Sequence, residues 1–113
     1  MNIQIFSKNK CFDSKKAERW FKERGIKAQI INLEQKGLSR GEFDSVLRAV
    51  GSLEALIDTN VKSQEATLIK YLASNEAKIE KLMECPKLFK SPIVRNGKQA
   101  TVGYCPEVWE KWE

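Results

Sequence analysis

The first 33 residues change their hydrophobic period twice, and this change constrains the fold more than any other feature of the sequence. Residues 2–6 place two isoleucines on one face at period two, which is typical of a short strand. A helical stripe of Ala17, Trp20 and Phe21 follows, and the alternation then returns in residues 26–33. A strand, a helix and a second strand in this order predict two parallel neighbours of one sheet, joined by a crossover.

The ends of the first helix carry recognisable signals. Asp13 or Ser14 is suited to cap its N-terminus. Gly25 is expected to end it, because glycine adopts the left-handed conformation of a helix end at little cost.

The middle of the chain has the pattern of several short helices. Ser39 and Glu42 have the spacing of a capping box, and an apolar helical stripe follows them. Further segments that each begin with a capping serine are residues 52–57, 63–73 and 74–85. We therefore expect a helical insertion over about residues 39–88.

The last third returns to extended structure. Residues 92–95 and 98–102 flank Asn96 and Gly97, the dipeptide that gives the strongest short-range signal for a hairpin. A final helix is expected over residues 106–112, with a proline at its first position.

This order of elements predicts an α/β fold with one domain over residues 1–113. Two parallel strands and an antiparallel hairpin make a four-stranded mixed sheet with helices on both faces. It is the layout of a thioredoxin-like domain with a helical insertion between its two halves.

Composition and charge limit the classes of function. Twenty Lys and Arg against fifteen Asp and Glu give a net charge of +5, but the two signs alternate along the predicted helices. That pattern favours a solvated mixed-charge surface over a nucleic-acid stripe, and it leaves an anionic partner as the weaker reading. The sequence also lacks a long apolar run and a signal-peptide core, so we expect a cytoplasmic protein.

The chain has three cysteines and no histidine. An odd number of cysteines without a secretory signal favours reduced thiols over a disulfide scaffold. Without histidine or a CxxC pair, we expect no metal site and no histidine-dependent catalysis.

Cys11 is the candidate functional residue. It follows the first strand and directly precedes the first helix, where unpaired N–H groups and the helix dipole favour a thiolate. Four lysines of the same segment add positive potential: Lys8, Lys10, Lys15 and Lys16. The arrangement predicts an activated nucleophile or an anion site, and the alternative is a small apolar cysteine packed under the sheet edge.

Two blocks of sequence resemble the arsenate reductase-like (ArsC/Spx) family. Residues 4–31 are similar to its opening strand, Cys-x-x-Ser/Cys-Arg/Lys-Lys/Asn loop and helix, and residues 91–107 are similar to its Pro-Ile-Val strand, hairpin and Val-Gly. The residues that fall on the loop motif are Cys11, Ser14, Lys15 and Lys16. The resemblance covers nearly the whole chain and implies the thioredoxin-like fold.

The reductase branch of this family implies a thiol-dependent oxidoreductase. Cys11 would be the thiolate nucleophile, with Ser14 and Lys15 beside it in the catalytic loop. No bound cofactor is expected; glutathione would be the co-substrate and a glutaredoxin the partner. The substrate-binding residues would be Lys8, Lys10, Ser91, Pro92, Arg95 and Tyr104, with a cis bond before the proline.

The family's oxyanion-binding arginines are not matched in this sequence. Ser91, Asp58 and Tyr104 stand at those positions, and an aspartate repels an oxyanion. The sequence therefore predicts poor arsenate reduction, with Arg95 as a candidate replacement cation.

The thiol motif is a monothiol CxxS. Ser14 stands where the family often has a resolving cysteine, so Cys11 can form a mixed disulfide but cannot close a local one. Cys105 is the candidate resolving thiol, and Cys85 is expected to be a packing residue.

The alternative reading is a regulator. Spx-type members of the family bind the alpha subunit of RNA polymerase, and Val102, Gly103 and Tyr104 resemble that branch. Gly51 lies near the position of the regulator's interface glycine, although it also reads as an ordinary helix end.

Overall fold

The computed structural model describes residues 2–112, and within this range the chain forms a four-stranded sheet with the order β2-β1-β3-β4. The strands are β1 (Ile3–Ser7), β2 (Ala28–Asn32), β3 (Ile93–Asn96) and β4 (Gln99–Val102). β1 pairs in parallel with β2 and antiparallel with β3, and β3 pairs antiparallel with β4. The predicted mixed sheet is confirmed, as is the cis peptide bond between Ser91 and Pro92.

Helices connect and cover these strands. In the described residues they are α1 (Phe12–Glu23), α2 (Arg40–Val50), α3 (Gln64–Lys70), α4 (Asn75–Glu84) and α5 (Pro106–Trp109), with short 3₁₀ turns at Glu54–Leu56 and Pro86–Leu88. The capping box of Ser39 and Glu42 is present, and Gly25 has the expected positive φ of 69°. None of the helices within residues 2–112 is long and apolar enough to cross a membrane.

The start of α1 differs from the prediction. Cys11, and not Asp13 or Ser14, is the N-cap residue, and no side chain caps the helix. Ser14 is fully buried, and its hydroxyl accepts a hydrogen bond from the Lys8 N–H at 3.3 Å. Its side chain therefore faces the loop before the helix and does not cap the helix.

Other elements are shorter than predicted. Residues 52–57 contain only a 3₁₀ turn, because Ile57 leaves it in extended conformation and forms a β-bridge with Phe89. α5 ends at Trp109, before the predicted residue 112, and the Trp112 N–H then bonds to the Trp109 carbonyl in a tighter turn (3.1 Å). The second strand spans five residues of the predicted eight.

Two apolar clusters lie on opposite faces of the sheet. Period-two alternation directs Phe6 and Ile93 toward the helical insertion, and Ile3, Ile5 and Val94 toward α1 and α5. The predicted helical stripe of Ala17, Trp20 and Phe21 is buried in the second cluster, together with Trp109 and Trp112. β1 thus runs between two packed layers, and the loop after it emerges at the sheet end where α1 begins.

Candidate functional site

Cys11 lies at the N-terminus of α1, where it is half-buried. Its backbone is extended (φ −103°, ψ 114°), and its carbonyl accepts the first helical hydrogen bond from the Lys15 N–H at 3.2 Å. The backbone N–H groups of Asp13 and Ser14, which belong to the first turn, form hydrogen bonds to the Cys11 sulfur. The predicted placement of the thiol between β1 and α1 is what the structure shows.

Ser91 is brought to this thiol from the other end of the chain. Its buried hydroxyl lies 3.2 Å from Cys11 Sγ in donor geometry, a contact between residues 80 positions apart. The segment before Ser91 is held by two backbone bonds, from the Asp58 N–H to the Leu88 carbonyl (2.8 Å) and from the Lys90 N–H to the Leu56 carbonyl (2.7 Å). The insertion thus fixes the position of the hydroxyl.

These contacts lower the pKa of the Cys11 thiol. Burial is the largest single effect and raises the pKa, because it penalises the charged form. The hydroxyls of Ser14 and Ser91 and the backbone N–H groups of Ser14 and Asp13 act in the opposite direction and together outweigh it. Each donates a hydrogen bond that is stronger to a thiolate than to a thiol.

The lysines near Cys11 divide into two groups. Lys8 Nζ forms an ion pair with Asp58 at 3.1 Å, and both side chains are largely buried. Lys10, Lys15 and Lys16 are exposed, and the first two line a cleft of about 540 Å³ beside the loop. The lowered pKa of Cys11 arises from hydrogen bonds and not from these lysines, which corrects the expectation that their positive potential activates the thiol.

Pro92 and Tyr104 lie close to the same end of the sheet. The Gly103 N–H donates to the Pro92 carbonyl at 2.8 Å, which ties the chain before Tyr104 to the chain after Ser91. The Tyr104 ring packs edge-to-face on Trp109, with 5.6 Å between centroids, and Lys16 Nζ lies 5.8 Å from its centre. Tyr104 is thus part of the surroundings of the first turns of α1.

Arg95 is placed elsewhere, which corrects its prediction as a replacement cation. Its Nη1 donates to Gln4 Oε1 at 2.8 Å on the neighbouring strand. Four residues of extended chain separate Arg95 from Ser91, which corresponds to about 13 Å. The guanidinium therefore interacts along the sheet and not with the group around Cys11.

The other two cysteines are free thiols with different surroundings. Cys105 packs beside the second core cluster, with Sγ 3.4 Å from the Val102 carbonyl. Burial, with a further contribution from the Glu107 carboxylate, raises the pKa of this thiol. Cys85 is half-buried at the C-terminal end of α4 and packs against the first cluster.

Two features of the site were not identified from the sequence. One is the Lys8–Asp58 ion pair, for which residues 50 positions apart carry no sequence signal. The other is Phe12, whose side chain is 83% exposed directly beside Cys11. The helical period could have indicated this exposure, since Phe12 lies off the buried stripe of Ala17, Trp20 and Phe21.

Comparison with known proteins agrees with this geometry. The model of the ArsC family matches residues 6–112. The chain is 32% identical over 111 residues to the global transcriptional regulator Spx 2 of Oceanobacillus iheyensis, covering 92% of this chain and 78% of that protein.

Solved structures show the same fold. An ArsC family related protein from Bacteroides fragilis superposes with a TM-score of 0.86 at 22% identity, covering 98% of this chain and 97% of that one. An arsenate reductase from Vibrio cholerae superposes with a TM-score of 0.81 at 26% identity, covering 96% and 94%. The sequence match over almost the whole length, together with a cysteine at the start of α1, leads to one assignment: the chain belongs to the ArsC family.

Proposed function

We propose that this protein carries out thiol–disulfide exchange by a monothiol mechanism, with Cys11 as the nucleophile. The observation that carries the proposal is the Ser91 hydroxyl, 3.2 Å from Cys11 Sγ, acting together with the N-terminal turn of α1. These groups lower the pKa of a thiol that keeps part of its surface accessible. A larger thiolate fraction at neutral pH makes Cys11 a competent attacking group.

Glutathione disulfide is the co-substrate class that we assign to this thiol. The Cys11 thiolate attacks one sulfur, the sulfur–sulfur bond breaks, and one glutathione leaves as its thiolate. The product is a mixed disulfide between Cys11 and glutathione. Because Ser14 has no thiol with which to resolve it, a second glutathione or a glutaredoxin thiolate must attack the adduct and release Cys11.

Arsenate is a poor substrate in this proposal. Asp58 stands at a position where the resemblance to the arsenate-reducing branch of the family implies an arginine. Its carboxylate forms an ion pair with Lys8. Ser91 supplies a hydroxyl donor, which cannot replace a bidentate guanidinium around an oxyanion.

The test is to treat the purified chain with glutathione disulfide near neutral pH and to map the adduct by mass spectrometry. We expect one glutathione per chain, on the peptide that contains Cys11, and a long-lived adduct until free glutathione is added. Cys11→Ser should remove the adduct, whereas the matched variant Cys85→Ser should retain it. Faster modification of Cys85 or Cys105 than of Cys11 would contradict the proposal.

A second candidate function is regulation through the alpha subunit of RNA polymerase. It is favoured by the similarity to a protein named as a global transcriptional regulator. Gly51, at the end of α2, is exposed with a φ of 82°, and a side chain there would enter open space. The surface around the end of α2 is therefore free for a partner.

Binding of purified alpha subunit to this chain tests the regulatory candidate. Gly51→Arg should abolish binding by placing a long cation in the contact, whereas Gly51→Asn should retain it because asparagine tolerates positive φ. Absence of binding by the unmodified chain would reject this candidate without affecting the thiol proposal.

A further inference from the structure

We propose that Lys8 and Asp58 are positioning residues of the Cys11 thiol, through an ion pair that holds the Ser91 hydroxyl in place beside the sulfur. Their charges are not the cause, since no charged side chain is among the groups that lower the pKa of Cys11. The inference rests on the proposed thiol function and assigns to the helical insertion a role in it beyond packing.

Lys8 connects the surroundings of the thiol to the insertion. It follows β1 directly, and its N–H donates to the Ser14 hydroxyl at 3.3 Å. That hydroxyl is fully buried and forms one of the hydrogen bonds that lower the pKa of Cys11. The Lys8 side chain ends at Asp58, with Nζ 3.1 Å from Oδ2. One residue thus contacts both the first turn of α1 and the insertion.

Asp58 and Ser91 are attached to one small unit of the insertion. Residues 56–58 pair antiparallel with residues 88–90 through one β-bridge and two backbone hydrogen bonds of 2.8 Å and 2.7 Å, and we name this pair the insertion ladder. Asp58 lies at one end of the ladder, and Ser91 directly follows its second strand at the opposite end. Three side chains of the ladder are buried in the first core cluster: Leu56, Leu88 and Phe89. A closely packed ladder moves as one body, so a displacement of Asp58 also displaces Ser91.

These contacts close a ring around the thiol. The ring runs from Cys11 back along the loop to Lys8, across the ion pair to Asp58, along the insertion ladder to Ser91, and over the 3.2 Å contact to Cys11 Sγ. Its two links between side chains join residues 50 and 80 positions apart. If the ion pair is opened, Ser91 keeps its attachment to the ladder and to β3 but loses the tie to the loop that carries the sulfur.

A direct effect of charge predicts a different result from positioning. Removal of the Lys8 cation would raise the pKa of Cys11, whereas removal of the Asp58 carboxylate would lower it. Positioning of Ser91 predicts a raised pKa in both cases, because either change opens the ring and weakens the hydrogen bond to the thiolate. Other charged side chains at this end of the sheet are Lys10, Asp13, Lys15, Lys16, Glu18, Glu34 and Lys90. They stay intact when only Lys8 or Asp58 is changed, so the comparison isolates the pair.

The pH dependence of Cys11 alkylation provides the test. Iodoacetamide reacts with the unmodified chain, Lys8→Met, Asp58→Ala and the double variant between about pH 5 and pH 10, and the Cys11 peptide is quantified by mass spectrometry. We expect the midpoint of the profile to move to higher pH in every variant, with a rate below the midpoint that is about threefold or more lower. The double variant should match the single variants, because the ring opens only once.

The contribution of Ser91 is tested in the Ser91→Ala background. There, Lys8→Met and Asp58→Ala should leave the midpoint where Ser91→Ala places it, since no hydroxyl remains to be positioned. The matched control is the ion pair of Lys78 and Glu54, whose Nζ and Oε1 lie 2.9 Å apart in the same insertion but outside the ring. Lys78→Met with Glu54→Ala should not move the midpoint.

A second control separates loss of stability from loss of positioning. Thr101 Oγ1 accepts the buried Trp109 Nε1–H at 2.8 Å, and Trp109 belongs to the second core cluster, on the other face of the sheet. Thr101→Val should therefore destabilise the fold and leave the midpoint unchanged. If Lys8→Met does not fold, Asp58→Ala alone decides, because charge and positioning predict opposite directions for it.

The outcomes separate this inference from the proposed function. A midpoint that moves to lower pH in Asp58→Ala, or that stays in place in the double variant, would overturn the positioning role. An undiminished effect of the variants in the Ser91→Ala background would also overturn it, since the pair would then act on another group. Failure of Cys11 in the unmodified chain to form the glutathione adduct would overturn the thiol function instead, and the alkylation profile would still decide the role of the ion pair.

Discussion

Lys8 Nζ and Asp58 Oδ2 lie 3.1 Å apart, and this ion pair joins the loop before Cys11 to the helical insertion. The second carboxylate oxygen of Asp58 accepts the Asn60 N–H at 2.9 Å, so the aspartate is held at a fixed place. With side chains 10% and 21% exposed, the pair is shielded from water more than an ordinary surface contact. The ion pair therefore neutralises the charge of Lys8 and holds the loop before Cys11 against the insertion.

Breaking this pair should destabilise the fold. In a double-mutant cycle of Lys8→Met and Asp58→Asn, we expect a coupling energy of about 1–2 kcal/mol, between the values for exposed and fully buried pairs. Urea unfolding of the four proteins measures it. The exposed Arg40–Asp44 pair, also at 3.1 Å, is the control and should give about 0.3–0.5 kcal/mol. Equal coupling in both cycles would show that the shielding of Lys8 and Asp58 has no energetic effect.

Ser91→Ala should make Cys11 less reactive near neutral pH. Loss of the hydroxyl donor 3.2 Å from Sγ raises the pKa of the thiol, because the thiolate loses a hydrogen bond. The alkylation rate of Cys11 should fall about threefold or more. Ser52→Ala, at an exposed serine of the insertion, should not change it. If the alkylation rate of Cys11 in Ser91→Ala were unchanged across the neutral pH range, the hydrogen bond from Ser91 would not be a cause of the lowered pKa.

Cys11 and Cys105 should make opposite contributions to the pH dependence of the free energy of unfolding. The pKa of Cys11 is lowered in the folded state, so the unfolded chain binds more protons and the free energy of unfolding rises with pH. This gain in the free energy of unfolding is complete above the pKa of the unfolded thiol, about 8.5. It is lost as the pH falls through the pKa of the thiol in the folded state. Comparison of the unmodified chain with Cys11→Ala isolates this contribution.

Cys105 provides the contrast within the same chain. The pKa of Cys105 is raised in the folded state, so its contribution to the free energy of unfolding is present below the unfolded pKa of about 8.5. It is lost as the pH rises through the pKa of the folded state. The difference between the unmodified chain and Cys105→Ala should therefore slope the other way. Parallel slopes for the two variants would be incompatible with these shifts.

Arsenate turnover with glutathione and glutaredoxin should remain at background. The reason is that Asp58, whose carboxylate is paired with Lys8, stands where the family resemblance implies an oxyanion-binding arginine. Asp58→Arg with Ser91→Arg should increase turnover, since the family resemblance implies oxyanion-binding guanidinium groups at these two positions. Robust turnover by the unmodified chain would contradict this prediction and show that another cation binds the oxyanion.

Thr101→Val should destabilise the packing beneath Tyr104. The buried Trp109 Nε1–H donates to Thr101 Oγ1 at 2.8 Å, and valine leaves this donor without a partner. We expect a loss of about 1–3 kcal/mol in the free energy of unfolding. Thr67→Val, at an exposed position of α3, is the matched control and should change it by about 0.5 kcal/mol or less.

Much of the fold could be predicted because its signals are local. Ser39 with Glu42 marks the start of α2, and the Asn96-Gly97 dipeptide marks the hairpin, each through contacts within four residues. The turn itself lies one residue later than predicted, at Gly97 and Lys98, because Asn96 ends β3 and pairs with Gln99. The position of Cys11 at the start of α1 follows from the same kind of signal. The ends of helices are predicted less accurately from sequence, because a tertiary contact can end an element that local preference would continue. The β-bridge between Ile57 and Phe89 is such a contact.

The sequence by itself determined which elements form, their order, and the location of the thiol between a strand and a helix. Only the tertiary structure decided that Ser91 donates to Cys11, that Asp58 neutralises Lys8, and that Arg95 turns to Gln4. These contacts join residues 50 to 91 positions apart, and each depends on strand register and on how the insertion packs. Local propensity acts over a few residues, whereas the chemistry of this site depends on distances that exist only once both faces of the sheet are covered.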